Sequence, residues 1–120
     1  MPLQQITPIL RIFDLAKAKE FYLDYLGFTI DWEHGVEQNL PRYLQISKDG
    51  CVLHLSEHYG DGAPGVAIRI AATQLEEYHQ ELSAKNYIFA NPGLETAPWG
   101  DKECRITDPF GNRLNFYEAA

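Results

Sequence analysis

Ala97-Pro98-Trp99-Gly100-Asp101-Lys102-Glu103-Cys104-Arg105-Ile106-Thr107-Asp108-Pro109-Phe110-Gly111-Asn112-Arg113-Leu114-Asn115-Phe116-Tyr117 reads as an aromatic loop, a strand, a tight turn and a second strand. Asp108-Pro109-Phe110-Gly111 carries type I turn chemistry. Asp caps the turn, Pro presets its second position, and Gly ends it in a left-handed bulge. Alternation on either side predicts a hairpin with two unlike faces. Cys104, Ile106, Leu114 and Phe116 point one way; Glu103, Arg105, Arg113, Asn115 and Tyr117 point the other. The second face is where chemistry is expected.

Working back from this hairpin, the chain shows one order of elements twice. Ile6 to Phe13 is a strand rich in Ile, Leu and Phe. Asp14 caps a helix marked by Leu15, Ala18, Tyr22, Tyr25 and Leu26 and stopped by Gly27. Phe28 to His34 is a strand, Gly35 to Pro41 a polar loop, and Arg42 to Ser47 and Cys51 to Glu57 two strands joined by Lys48-Asp49-Gly50. The segment from His58 to Gly65 holds three glycines and a proline and breaks the chain into halves. Val66 to Ala71 is again a strand. Thr73-Gln74-Leu75-Glu76 matches a capping box, and Leu75, Tyr78, Leu82 and the Lys85 stem mark the inner face of the helix it opens. Tyr87 to Ala90 reads as a short strand, Asn91-Pro92-Gly93 as a turn, and Leu94 to Pro98 as irregular.

Both halves therefore read β-α-β-β-β. Leu10-Arg11-Ile12 is echoed by Ile68-Arg69-Ile70, Leu15 by Leu75, Tyr22 by Leu82, Phe28 by Ile88 and Gly50 by Gly111, at offsets of about 58 to 61 positions. The fold class expected is α+β: two tandem βαβββ modules, about 1–60 and 61–120, forming curved mixed sheets within a single domain. Each sheet turns its apolar face to its helix. The other face carries Tyr43, Gln45, His54, Ser56, Glu103, Arg105, Asn115 and Tyr117, which suits a hydrated cleft with stacking surfaces. Half-sheets left open on one side predict that two halves cover each other, within one chain or across a homodimer.

Composition narrows the function. The chain has 120 residues, 45% of them hydrophobic and 22% charged, with a net charge of −7. An acidic chain is a poor partner for nucleic acid, whose phosphates need a basic surface. No apolar run approaches the roughly 20 residues of a membrane helix. The N-terminus shows no signal-peptide pattern, and Cys51 and Cys104 read as reduced core thiols of a cytoplasmic protein. No nucleophile with an adjacent base, phosphate-binding glycine loop or zinc-type cysteine spacing is present.

Asp14-Leu15 opening a helix that ends Phe21-Tyr22-x-x-x-Leu26-Gly27-Phe28, and Asp108-Pro109-x-Gly111-Asn112-x-x-x-Phe116, resemble the vicinal oxygen chelate superfamily of glyoxalases, extradiol dioxygenases, fosfomycin resistance enzymes and bleomycin resistance proteins. With Pro98-Trp99-Gly100, the chain is most similar to the bleomycin resistance branch. Metal-dependent members of the superfamily draw ligands from slots that fall here on Thr7, His54, Gly65 and Asn115. Only His54 is a good ligand, and one imidazole does not hold a catalytic metal. The resemblance thus implies a binding protein without metal, cofactor or catalytic residues, which holds a bleomycin-type or other cationic aromatic compound in dimer clefts. The alternatives are a metal-dependent lyase, isomerase or dioxygenase of the same fold, and a binder of a cellular metabolite.

Eight residues form the expected ligand site: Trp32, Tyr43, His54, Tyr59, Trp99, Glu103, Arg105 and Asn115. Trp99 is read as a stacking platform. Trp32 belongs to the core or a dimer interface, or else adds a second stacking surface. His54 is a ligand contact or a satisfied cleft histidine. Glu57, Asp61 and Glu103, with Asp31 and Glu33 at the rim, give the cleft negative potential. Tyr59 lines the cleft mouth or anchors its loop.

Overall fold

The computed structural model describes residues 2–37 and 40–120. Gln38 and Asn39, in the expected loop from Gly35 to Pro41, lie outside the described residues. The chain divides into two compact units, Met1–Pro64 and Gly65–Ala120.

The first unit runs β1 (Ile9–Arg11), helix α1 (Leu15–Lys19, continuing in π geometry over Glu20–Tyr25), β2 (Thr29–His34), β3 (Tyr43–Lys48) and β4 (Cys51–Ser56). Its sheet has the order β1-β4-β3-β2, with β1 parallel to β4 and the other pairs antiparallel. The Asp14 carboxylate accepts from the Lys17 N–H at 3.0 Å, capping α1 as expected. Widening at the helix end shows in the Leu26 N–H, which reaches the Phe21 carbonyl five residues back at 2.9 Å. Gly27 follows at φ +89°, a conformation that suits glycine. Leu10, Leu44, Ile46, Leu53 and Leu55 alternate onto one face and are buried, as are Phe21, Tyr22, Tyr25 and Leu26 of the helix. The first strand is shorter than the expected Ile6 to Phe13. Pro8 offers no N–H, and β4 pairs only from Ile9 to Arg11, so Ile6 and Phe13 stay exposed.

The second unit repeats the plan: β5 (Ala67–Ala71), α2 (Leu75–Ala84), β6 (Glu95–Thr96), β7 (Lys102–Thr107) and β8 (Arg113–Glu118), with sheet order β5-β8-β7-β6 and β5 parallel to β8. The closing hairpin has the expected faces: Cys104, Ile106, Leu114 and Phe116 are buried and pair across β7 and β8. Leu75 and Leu82 are buried on the inner face of α2, and Tyr78 meets Phe116 edge-on at 5.5 Å between centroids. Lys85, expected to bury its stem, is exposed.

Three local expectations fail for identifiable reasons. The capping box at Thr73 does not form. The N-cap is Gln74, at φ +56° with no side-chain cap. The Glu118 carboxylate caps instead, accepting from the Gln74 and Leu75 N–H groups at 3.2 and 3.1 Å. A carboxylate there also meets the positive end of the helix dipole. Replacing Glu118 by Gln should cost about 1 kcal/mol, read as a lower urea midpoint. Tyr87 to Ala90 turns instead of extending, since Asn86 sits at φ +52° and the Tyr87 and Phe89 rings fold together at 5.6 Å. The expected irregular stretch from Leu94 to Pro98 contains β6, which β7 recruits through the Glu95–Glu103 and Thr96–Lys102 pairs.

Both cysteines are free. Burial pushes the Cys51 thiol up and the Cys104 thiol up to about 11. A raised pKa keeps the thiol protonated and unreactive at neutral pH. At pH 8, a thiol reagent should modify half-buried Cys51 and spare Cys104 until the protein unfolds, as read by intact mass.

Candidate functional site

The polar face of the first sheet is shaped by one irregularity. Ile30 pairs with Ile46 and Trp32 with Gln45, so Asp31 is an extra residue in β2. Strict alternation would place Trp32 beside Ile30 on the apolar side. The bulge resets the phase, because a one-residue shift moves each following side chain to the other face. Trp32 and His34 therefore lie with Gln45 and Tyr43 on the polar face. Glu33 swings to the other side, opposite Leu44, and pairs with Lys19 of α1 at 3.3 Å and Arg42 at 3.6 Å. The two acids expected together at the rim are thus separated.

On that face Trp32 stacks nearly parallel to Tyr43, at 5.9 Å and 10°. His54 meets Trp32 and Tyr43 edge-on, both at 5.2 Å, and His34 lies 4.8 Å from Trp32. A chain of hydrogen bonds runs beneath the rings. Tyr43 Oη is 2.7 Å from His54 Nδ1, and His54 Nε2 is 2.9 Å from Gln45 Oε1. Gln45 Nε2 donates to Asp31 Oδ2 at 3.0 Å, and Ser47 Oγ donates to Asp31 Oδ1 at 2.9 Å. An ionised Asp31 only accepts, which fixes the direction of the whole chain. Gln45 must turn its NH2 to Asp31 and its carbonyl to His54. His54 then carries its proton on Nε2, and Tyr43 donates to Nδ1. Burial first, then the Asp61 carboxylate, pushes the Tyr43 phenol up and keeps it a donor. Long-range nitrogen–proton NMR should find His54 as the Nε2–H tautomer; an Nδ1–H signal would contradict this chain.

Both nitrogens of His54 are therefore engaged within the sheet, and metal ligation would break one of these bonds. Among the described residues no group of three His, Cys, Asp or Glu side chains is arranged to hold a metal ion. Two other acids of the first unit are also held. Glu57 accepts from the Arg42 N–H at 2.8 Å, and Asp61 from Ser56 Oγ at 2.7 Å. Tyr59, expected at the cleft mouth, is 97% exposed and joins no ring cluster among the described residues.

In the second unit, the register aligns Arg69, Asn115 and Arg105 in one row across β5, β8 and β7. Glu103 is buried and binds Arg105 at 2.9 Å, so part of its charge is spent within the sheet. Arg69 lies over the Tyr117 ring at 4.1 Å. Trp99 is 62% exposed at a turn closed by the Gly100 N–H on the Ala97 carbonyl at 2.8 Å. The eight expected residues thus separate into one cluster on the first sheet (Trp32, Tyr43, His54), a polar group on the second sheet (Glu103, Arg105, Asn115) and two exposed aromatics. Asp31, expected only at the rim, organises the first face; Gln45 and Tyr117, expected on the cleft face but outside the eight, and Arg69, not expected there, join the polar groups, and cross-strand polar pairing is the available sign for these three.

Two βαβββ modules with the same mixed strand order define the fold of the glyoxalases, bleomycin resistance proteins and dioxygenases. A family model described as glyoxalase superfamily protein matches residues 1–120, and the chain belongs to that superfamily. It is 24% identical over 128 residues to a bleomycin resistance protein of Geobacillus stearothermophilus, covering 95% of this chain and 96% of the relative. Among solved structures, a bleomycin-binding protein complexed with bleomycin superposes with a TM-score of 0.75 at 18% identity, over 98% of this chain and 100% of the other. TnmS3, an antibiotic binding protein from a Streptomyces species, superposes with a TM-score of 0.76 at 21% identity, over 100% of this chain and 99% of the other.

Proposed function

We propose that this chain is a non-catalytic binding protein that sequesters an antibiotic or related small molecule with a flat aromatic part and a cationic part. The observation that carries this reading is Trp32, turned by the Asp31 bulge onto the polar face and held parallel to Tyr43. A rigid aromatic wall takes up a planar ligand with little loss of side-chain freedom. Asp31 and Asp61 supply negative charge on the same unit. The similarity to bleomycin resistance proteins supports the same reading and makes bleomycin the first ligand to try. In this proposal the 120-residue chain is one domain that acts in the cytoplasm as a homodimer. Its clefts draw on a module from each of two chains, with Trp99 stacking at the entrance.

Titration with bleomycin, followed by tryptophan fluorescence, tests the ligand. Saturable quenching at micromolar drug is expected, and a flat response would remove bleomycin as the ligand. Light scattering tests the assembly: twice the chain mass is expected, whereas a monomer at micromolar concentration contradicts the shared cleft.

A further inference from the structure

We infer that the Asp61 carboxylate, at the Tyr43 end of the aromatic wall, receives the cationic part of the ligand, and that this part bears N–H groups, as a primary or secondary ammonium does and a quaternary ammonium does not. This rests on the binding reading above and deepens it by naming the class of the cation and the residue that reads it. Every residue involved belongs to the first unit. Asp61 is a held carboxylate. Ser56, fully buried at the end of β4, stands opposite Tyr43 in the register of β3 and β4. Its hydroxyl is used in both directions: Oγ accepts from the His58 N–H at 3.0 Å and donates to Asp61 Oδ2 at 2.7 Å. The Asp61 N–H closes the turn on the His58 carbonyl at 3.2 Å. Turn and hydroxyl together orient the carboxylate before a ligand arrives, so little side-chain freedom is lost when one binds.

The second oxygen, Asp61 Oδ1, has no protein donor among the described residues, and no ion pair neutralises the group there. The arginines nearest by register are turned elsewhere. Arg11, opposite Ser56 on β1, lays its guanidinium over the Phe13 ring at 4.7 Å, and Arg42, just before β3, reaches Glu33 at 3.6 Å. Nor does Tyr43 compete for Oδ1, since its hydroxyl is spent on His54. The charge of Asp61 is felt at the wall: after burial, it is the second cause that pushes the Tyr43 phenol up. Asp31, the other acid beside these rings, spends both oxygens on Gln45 and Ser47. Asp61 therefore combines an uncancelled charge, a fixed orientation and an acceptor left to give. Water weakens a bare Coulomb attraction, whereas an N–H donated to an oriented carboxylate oxygen adds a short, directional bond. A quaternary ammonium has the charge and lacks that bond.

Three probes sharing one naphthalene ring system test the inference: 2-(2-naphthyl)ethylamine, its N,N,N-trimethyl derivative and the neutral 2-(2-naphthyl)ethanol, titrated by calorimetry at pH 7. The primary amine should bind at least tenfold tighter than the alcohol and at least fivefold tighter than the trimethyl compound. In carbon NMR of labelled protein it should shift the Asp61 carboxylate signal, which the alcohol should leave in place. Asp61→Asn, which keeps an acceptor for Ser56, should weaken the amine at least fivefold and leave the alcohol within twofold. Ser56→Ala should lower the preference for the amine at least threefold, again with the alcohol within twofold, as expected of a positioning residue; the alcohol reports in both variants that the fold and the aromatic wall are intact. Equal affinities of amine and alcohol, a trimethyl compound as tight as the amine, or a preference that survives Asp61→Asn would each overturn the assignment of Asp61 while keeping the aromatic wall. Failure of all three probes to bind would reject the aromatic wall and the inference with it. An amine preference lost in Asp61→Asn, without bleomycin binding, would reject the drug and keep the Asp61 subsite.

Discussion

Replacing Asp108 by Ala should remove about 3 kcal/mol of stability, the sum of lost charge-assisted hydrogen bonds and stranded donors. Asp108 is buried at the turn of the closing hairpin. One carboxylate oxygen accepts from the Phe110 and Asn112 N–H groups, both at 2.8 Å, and the other from Asn112 Nδ2 at 2.9 Å. Alanine leaves these donors without that acceptor, and Asn112 is itself buried. The turn also carries the Gly111 N–H to Asp108 carbonyl bond at 3.3 Å, with Gly111 at φ +95°. Losing the carboxylate loosens β7 and β8 together. The melting temperature should fall by about 10 °C. Asp108→Asn, which keeps one carbonyl acceptor, should fall about half as far. A loss under about 1 kcal/mol in urea titration would show that the turn holds without its carboxylate.

The second large effect concerns binding. Trp32→Ala should weaken the ligand about 100-fold, or about 2.7 kcal/mol, the scale of an aromatic hot spot. The ring is the parallel partner of Tyr43, and in the proposed site it would supply the contact area. Trp32→Phe, with a smaller face, should lose about tenfold. Trp99→Ala separates binding from folding. Its ring is largely exposed, so unfolding should shift by less than about 0.5 kcal/mol while affinity falls. Calorimetric titration of the three variants beside denaturation curves reads both quantities. Unchanged affinity in Trp32→Ala would move the ligand away from the first sheet.

The closing hairpin was legible because its signals are local. Asp-Pro-x-Gly sets the turn, and period-two alternation sets the faces without help from distant residues. The repeat of β-α-β-β-β was legible for the same reason. The bulge at Asp31 was not. Thr29 to His34 carries no glycine to mark it, and strict alternation sends Trp32 toward the core. What holds the bulge is pairing with Gln45 and Ser47, on a strand fourteen and sixteen residues away. Thr73-Gln74-Leu75-Glu76 misled in the opposite way. The local motif is complete, yet Glu118, distant in sequence but brought close by the sheet, takes the helix N–H groups. Chemistry-bearing residue types could be named from the sequence; which of them meet depended on register, and one inserted residue changed the answer.

Central to the proposed function is that the protein holds its ligand without changing it. The most direct measurement is equilibrium dialysis against bleomycin, followed by mass spectrometry of the drug recovered from the protein side after prolonged incubation. Saturable retention of intact drug at one molecule per chain is the predicted result. Drug whose mass has changed in a protein-dependent way, or drug distributed equally across the membrane, would contradict it.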